Sequence, residues 1–270
     1  MKRAAALLGA PVALVLLAGC GGASGTVTVD GTAGPAGVAG AQTTTPAAGS
    51  TGSSSSTSSP ASTKTTTTDD GEGCAATGDA VPDQAGTALA GDLDGDGARD
   101  QIWLADEDDE RYLGVHTASG ATFSTTFESA SPIAASAVGD TLSDGTAVIL
   151  LDTGRSAALY TVVGCEIVAT TNVKGEQYTF DEGFTGYGTG VGCPTVKDQK
   201  ILAGYNVGDQ HDDGFTVLRT KIELSDGGRS ATNGAETDTG IWMTDSKQIT
   251  AARSVTCGVS KTAKESGRVS

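Results

Sequence analysis

The chain has 270 residues, of which 17 are Lys or Arg and 33 are Asp or Glu, so its formal net charge is −16. This acidity excludes a nucleic-acid binder, because no basic surface is left to neutralise phosphates. The mean hydropathy of −0.11 excludes a protein with many membrane spans. Aromatic residues make up 4% of the chain and none precedes Trp103, so the chain divides into regions of different character.

Residues 1–19 have the pattern of a signal peptide. Lys2 and Arg3 precede an apolar run, 4–18, that is too short to span a bilayer in a relaxed way. The run ends in Leu-Ala-Gly-Cys at 17–20, which resembles the lipobox of bacterial lipoproteins. The resemblance implies cleavage before Cys20, diacylation of that residue, and a location on the extracytoplasmic face of the cell membrane. An ordinary secretory peptide with an unrelated Cys is the alternative.

Residues 20–73 comprise the lipidated Cys and a linker dominated by Ser, Thr, Gly, Ala and Pro. Such a segment buries too little apolar surface to offset its ordering entropy, so we predict that it is disordered. A flexible coil of this length reaches roughly 40 Å on average, enough to hold a domain away from a membrane. The stretch 50–68 also has the composition of an O-glycosylated stalk, although a plain spacer is the simpler interpretation.

From Cys74 onward, short runs of Val, Ile, Thr, Tyr and Phe alternate with turns rich in Gly, Asp, Ser and Asn. Most runs alternate with period two, which predicts strands rather than helices. Many short strands with frequent turns predict one all-β domain over 74–260, followed by a disordered tail over 261–270. The predicted strands are 87–90, 101–105, 112–117, 121–128, 133–138, 146–151, 157–163, 166–172, 177–180, 201–205, 215–223 and 249–256.

A weak repeat divides this domain into three units. Gly91, Gly139 and Gly192 lie 48 and 53 residues apart, and each opens a turn that leads into a hydrophobic run. Units of about four strands at this period are typical of propeller blades, although closed propellers have about 4–8 blades. We therefore predict propeller-like blades of antiparallel strands in three degenerate repeats, with an incomplete ring as one outcome. A chance similarity among Gly/Asp turns is the alternative.

The strongest local motif is 92–100, which carries Asp at its first, third, fifth and ninth positions. Ca²⁺ prefers 6–8 hard oxygen ligands, and alternate side chains of a tight loop converge on one point. Gly97 permits the sharp turn that the sixth position needs. An acidic, solvated turn is the alternative. The pattern predicts a structural Ca²⁺ site formed by Asp92, Asp94, Asp96, the carbonyl of Ala98, and Asp100.

The motif differs from an EF-hand, because its twelfth position is Trp103 rather than Glu and a predicted strand follows at once. It resembles the FG-GAP or VCBS-type repeat of integrin-like β-propellers, in which a D-x-D-x-D-G loop precedes a strand and binds Ca²⁺. The resemblance is tight over 90–103 and loose elsewhere, since the second and third repeats keep few of the acids. It implies a structural ion and a binding or adhesion surface.

Four cysteines besides Cys20 on an exported chain predict two disulfides, for which three pairings exist. We favour Cys165 with Cys193, which closes a loop inside the domain. Cys74 would then pair with Cys257 and act as a clasp between the two ends of the domain.

Motifs of serine hydrolases, P-loops and zinc proteases are absent from the sequence, and the glycine-rich stretch 186–192 lacks the helix that follows a phosphate loop. His116 and His211 are too far apart in sequence for a local two-His metal site. We therefore expect a non-enzymatic, lipid-anchored surface protein whose β-domain binds a cell-wall, polysaccharide or protein ligand. An exported carbohydrate-active hydrolase with acidic residues in a cleft, or an envelope lipoprotein with no ligand, is the alternative.

Overall fold

The structure is a computed structural model that describes residues 73–107, 109–182, 189–258 and 260–266. The predicted signal peptide, Cys20 and nearly all of the predicted linker lie outside these residues. The expected all-β class is confirmed, because the described residues form several antiparallel sheets, none of which is closed. No helix within the described ranges is long and apolar enough to cross a membrane.

The first sheet is a four-stranded antiparallel meander. Strands β2 and β3 pair as far as Glu107 and Glu110. Trp103 lies on the outer face and is buried, because its indole rests on Gly114 in the facing strand, where any Cβ would collide with the ring. The strands are β1 (Gly86–Leu89), β2 (Gln101–Glu107), β3 (Glu110–His116) and β4 (Thr122–Thr126).

The second sheet continues the same plan and is covered on both faces. Its main strands again form a meander, and a short fifth strand pairs with β7 beside β8. Five consecutive residues of β6 are buried, which explains why the sequence there is an unbroken apolar run rather than an alternating one. The strands are β5 (Ser136–Thr141), β6 (Ala147–Asp152), β7 (Ser156–Val162), β8 (Ile167–Ala169) and β9 (Thr179–Asp181).

The third sheet has the strand order β10-β13-β14-β15, and a separate two-stranded hairpin, β11–β12, interrupts its first connection. A 3₁₀ turn (Asp226–Gly228) joins its two longest strands. Its strands and the hairpin are β10 (Thr189–Gly192), β11 (Thr195–Val196), β12 (Gln199–Lys200), β13 (Ala203–His211), β14 (Gly214–Ser225) and β15 (Ser230–Trp242).

The second sheet lies between the other two, because its strands send alternate side chains into two different cores. Ile149 and Leu151 of β6 pack with residues of the first sheet, including Ile102 and Leu113. Val148 and Leu150, on the opposite face, pack in the other core, which includes Ile222 and Ala231 of the third sheet and Leu202, the residue before β13. The two largest apolar clusters therefore lie between the second sheet and its two neighbours.

The three anchor glycines of the sequence repeat mark equivalent places in the three sheets. Gly91 follows β1, Gly139 lies near the end of β5, and Gly192 ends β10. Each therefore stands where the first strand of a meander leads towards the second. The repeat is reflected in the topology, and its third copy is faint because the β11–β12 hairpin is inserted there.

The end of the chain runs along the first strands of all three sheets, and we call residues 247–258 and 260–265 the C-terminal strap. Val255 bridges Val191 of β10 in the third sheet. Strand β16 (Ala263–Lys264) then pairs with β5 of the second sheet. The Lys264 carbonyl lies so close to Gly86 of β1 that no side chain fits there. The predicted disordered tail over 261–270 is therefore wrong for 263–265, which belong to the fold.

Glu265 fixes the strap to the first sheet. It forms a bidentate ion pair with Arg111 of β3, at 2.7 Å to Nε and 2.6 Å to Nη2, and both side chains are buried. The Arg111 guanidinium also lies over the ring of Phe127, with its central carbon 4.7 Å from the ring centroid. A backbone hydrogen bond from Ala135 to the same carboxylate adds a contact 130 residues away in sequence.

Several elements differ from the sequence predictions, which did not include the short strands β10, β11, β12 and β16. The predicted strand 249–256 is wrong in its first half, which belongs to helix α1 (Lys247–Ala252). Ser246 caps this helix by accepting a hydrogen bond from the Ile249 amide, and Ile249 and Ala252, one turn apart, are its buried residues. Strand β15 was not predicted, because its sequence is polar and it pairs along one side with β14.

All four predicted cysteines form disulfides, but the favoured pairing is wrong. The bonds are Cys74–Cys165 and Cys193–Cys257. The second follows from register, because the bridge between Val191 and Val255 places the residues two positions further along each segment next to one another. The end of the domain is instead joined to the first sheet by the non-covalent contacts of the C-terminal strap, such as the ion pair of Glu265 with Arg111.

Candidate metal site

The aspartate loop, residues 91–100, joins β1 to β2 and is closed by backbone hydrogen bonds. The Ala90 amide donates to the Asp100 carbonyl at 2.8 Å, and the Asp100 amide donates to the Gly91 carbonyl at 3.0 Å. Gly97 has a φ of +86°, as its position in the motif predicts. Closure of the loop turns its acidic side chains towards each other.

Three of the predicted ligands converge. Ligand oxygens of Asp92, Asp94 and Asp100 all lie within 4.8 Å of one another. Asp96 lies outside this group, and its Oδ1 accepts a hydrogen bond from the Ala98 amide at 2.7 Å. The structure thus brings together three of the four predicted carboxylates.

Backbone amides hold these three carboxylates in place. Asp92 accepts hydrogen bonds from the amides of Gly95 and Gly97 at 2.8 and 2.9 Å. Asp94 accepts from the Cys74 amide at 2.8 Å. Because a carboxylate oxygen has two lone pairs, such bonds orient it and still leave capacity for a cation.

Asp100 is the buried member of the group. Its carboxylate accepts hydrogen bonds from the amides of Leu93 at 2.6 Å and Ala118 at 2.9 Å. Its pKa is raised from 3.8 to about 6, mainly by burial and to a lesser extent by the charges of Asp94 and Asp96, while the two amides act in the opposite direction. The loop therefore concentrates negative charge that is costly to hold without a cation.

No ion pair within the described residues neutralises this group. Arg99 is the nearest basic residue in sequence, yet its Nε donates to the Ala90 carbonyl at 2.7 Å. Arg111, Lys200 and Lys221 form ion pairs with acids outside this group. Three oriented carboxylates form the hard oxygen donor set that Ca²⁺ prefers, so the residues fit such an ion.

The second loop, residues 139–145, has a different electrostatic arrangement. Asp140, which aligns with Asp92 in the repeat, forms an ion pair with Lys200 at 2.9 Å. Ser143 and Lys200 also exchange two hydrogen bonds, which fix the β11–β12 hairpin on the loop. The two loops touch, because the Gly91 amide donates to the Gly139 carbonyl at 3.2 Å.

The first disulfide anchors the start of the described chain beside the aspartate loop. Cys74 is bonded to Cys165, in the turn between β7 and β8, and its carbonyl accepts a hydrogen bond from Ser119 Oγ at 2.5 Å. The same hydroxyl lies 3.3 Å from Asp94 Oδ2. The sequence carries no sign of this role for Ser119, because the contact spans 45 residues.

Asp152 and Glu182 form a second acidic feature that the sequence did not predict. Glu182 is partly buried, and this burial, together with a hydrogen bond to Asp152 and the charges of Asp152 and Asp181, raises its pKa to about 7. The two carboxyl groups are therefore placed to share a proton near neutral pH. His116 and His211 lie at strand ends and contact Thr side chains, so neither belongs to the metal group.

Comparison of the chain with family models, curated proteins and solved structures finds no match. A proposal for the function of this chain therefore rests on its own residues.

Proposed function

We propose that this chain is a lipid-anchored protein of the bacterial cell surface. Its β-domain, stabilised by Ca²⁺ and two disulfides, would act as a binding or adhesion module for a cell-wall, polysaccharide or protein ligand. The observation that carries the proposal is the convergence of Asp92, Asp94 and Asp100 within 4.8 Å at the loop where the sequence predicts the ion.

The ion would be held by those three carboxylates and by the Ala98 carbonyl that the motif predicts. Asp96, the fourth predicted carboxylate, lies outside the group and would have to turn towards the ion to bind it. The charge of the ion would offset both the cost of burying the Asp100 carboxylate and the repulsion from the neighbouring acids. The loop also contacts the second sheet through Thr141, whose hydroxyl donates to the Asp92 carbonyl. A structural ion here would therefore stabilise the junction of two sheets.

Thermal unfolding of the full chain in EDTA and in millimolar CaCl₂ tests the ion. A cation that binds the folded state alone raises the melting temperature by mass action. We expect a higher melting temperature with CaCl₂. Identical transitions in the two buffers would contradict the proposal.

The lipid anchor rests on the sequence of residues 1–20, and the linker 20–73 would carry the β-domain away from the membrane. Two acyl chains hold a protein stably on a bilayer. Fractionation of cells that express the chain should place it with membranes, and Cys20→Ala should release it. A wild-type chain found in the soluble fraction would contradict the anchor.

The three stacked meanders support propeller-like blades, each with its anchor glycine at the same place. Neighbouring blades in a propeller pack face to face, as the second sheet does with the other two. The strap runs along their first strands, where unpaired edges would otherwise invite other chains to pair. Three blades and a strap would then form a protected module without a complete ring.

A carbohydrate-active hydrolase is the second candidate, and the Asp152–Glu182 pair is the observation that favours it. A carboxyl group with a pKa of about 7 is suited to general acid catalysis. However, two-carboxylate hydrolysis needs the groups about 5–9.5 Å apart, whereas these two hydrogen-bond to each other. Release of reducing sugar by the full chain, lost in Glu182→Gln, would favour the enzyme.

A further inference from the structure

A groove separates β9 of the second sheet from one face of the third sheet. It consists of two adjoining cavities of about 450 and 290 Å³, which share Tyr178, Thr179 and Asn233. Neither cavity includes a residue of the aspartate loop. We propose that this groove binds a neutral saccharide, an inference that rests on the proposed function as a binding module.

A β-bulge brings two polar side chains to the same face of the groove. Across β14 and β15, Thr220 is paired with Glu236 and Ile222 with Asn233, and the register shifts between these two pairs. Residues three apart on a regular strand point to opposite faces. Thr220 and Ile222 are two residues apart and lie on the same face of β14. Because of the shift, their partners Glu236 and Asn233 also lie on that face, and both line the groove.

Aromatic rings form one wall of the groove. Tyr178 and Phe180 pack edge to face with ring centroids 5.3 Å apart, and Phe180 is buried. The Tyr178 hydroxyl is hydrogen-bonded to Asn233 Oδ1, so this amide is held in one orientation. Within the described residues no hydrogen bond engages the Nδ2 group of Asn233, which leaves two donors for a ligand.

This combination matches the surface of a sugar. A pyranose ring has an apolar C–H face and a rim of hydroxyl groups, so it needs an aromatic wall beside amide, hydroxyl and carboxylate groups. Asn206, Thr220 and Glu236 supply such groups along the floor of the groove. The volume of the larger cavity also lies in the range of small-ligand sites.

The charge of the lining favours a neutral ligand over an anionic one. Lys174 is the one basic residue among the lining residues, whereas Glu176, Asp181 and Glu236 are acidic. A phosphate, sulfate or uronic acid would meet net repulsion there. A basic peptide is the other class that the charges allow, and the experiment below separates it from a saccharide.

Calorimetric titration of the full chain, carrying Cys20→Ser so that it is not acylated, tests the groove. The probes are cellotetraose, chitotetraose and maltotetraose, with tetralysine as the basic peptide. We expect saturable binding of a neutral tetrasaccharide, weakened about tenfold by Asn233→Ala and by Glu236→Gln, since each removes a hydrogen bond. Tyr178→Phe should weaken it less, because the ring remains.

Thr237→Ala is the matched control, because Thr237 adjoins Glu236 but pairs with Arg219 on the opposite face of the strand. It should leave the Kd unchanged, and all variants should keep the wild-type melting temperature. Absence of saturable binding to every neutral probe at millimolar concentration would overturn the inference. Equal Kd values for wild type and Asn233→Ala, or binding of tetralysine alone, would also overturn it.

The failure of this inference is distinguishable from failure of the proposed function. A chain that is membrane-bound and stabilised by CaCl₂ but binds no saccharide would leave the proposed anchor and ion intact. A chain that binds a tetrasaccharide through Asn233 but stays soluble in cells would overturn the anchor alone.

Discussion

The aspartate loop and the second loop occupy the same place in neighbouring sheets, yet they balance their acids in different ways. The second loop pairs Asp140 with Lys200, a cation supplied by the chain itself. The aspartate loop brings Asp92, Asp94 and Asp100 together with no basic partner among the described residues. The comparison teaches that a repeat can keep its backbone turn while its acids lose or gain a basic partner, and it is the loop without such a partner that we propose binds an ion.

The buried ion pair between Glu265 and Arg111 is another case in which the chain supplies both charges. We expect its removal to have the largest effect on the free energy of unfolding. The side chains of Glu265 and Arg111 are 0% and 4% exposed. Glu265→Ala would leave the Arg111 charge buried without its carboxylate, so we expect the free energy of unfolding to fall by about 3–5 kcal/mol. Urea unfolding measures this loss, which should be the same in CaCl₂ and in EDTA.

Lys264→Ala is the control for this prediction, because Lys264 precedes Glu265 in the chain and is exposed at the end of β16. It should cost little stability. If Glu265→Ala were no more destabilising than Lys264→Ala, the strap would not fasten the sheets as described.

Asp94→Asn tests the ion that we propose for the aspartate loop. An ion that binds only the folded state adds about 2.7 kcal/mol to the free energy of unfolding when its concentration is a hundred times its Kd. This contribution should vanish when a coordinating carboxylate is removed. We expect CaCl₂ to raise the melting temperature of the wild type but not that of Asp94→Asn. Differential scanning calorimetry at matched free Ca²⁺ makes the measurement.

Asp144→Asn is the matched control in the second loop. Asp144 is exposed and accepts a hydrogen bond from the Thr146 amide, outside the group of converging carboxylates. This variant should keep the full response to CaCl₂. An equal loss of response in both variants would indicate a diffuse effect of charge rather than a site.

The sequence was sufficient for the features that depend on local pattern. Period-two runs predicted most strands of the first two sheets, and the spacing of Gly91, Gly139 and Gly192 predicted equivalent turns. The Asp spacing predicted a loop that brings three carboxylates together, since closely spaced residues of a tight loop need no distant partner.

Features that depend on contacts between residues distant in sequence could not be predicted from local pattern. Strand β15 is polar because it is an edge strand that relies on pairing with β14, which local propensity does not record. The disulfide pairing depends on how residue 255 lies against residue 191. Lys200, 60 residues from Asp140, becomes its partner through the β11–β12 hairpin.

Lys200→Met measures the strength of the internal pair in the second loop. The Lys200 side chain is 31% exposed, so solvent screens the pair and we expect a loss of about 1 kcal/mol. The double variant with Asp140→Asn should lose less than the sum of the two single variants, since the partner charge is also gone. Additive losses in urea unfolding would show that the ion pair contributes nothing.

The Asp152–Glu182 pair balances its charge with a proton, which predicts a small dependence of stability on pH. The folded chain raises the pKa of Glu182 from 4.5 to about 7, mainly because the carboxyl is buried, so the folded state holds a proton that the unfolded state has lost between these values. The free energy of unfolding in EDTA should therefore fall as the pH rises from about 4.5 to 7. Glu182→Gln should make the decline shallower over this whole range and should abolish it above pH 6. A smaller decline should persist below pH 6, because the pKa of Asp100 is raised to about 6 and produces its own decline there. Urea unfolding across this range would contradict the shared proton if the two proteins gave parallel curves.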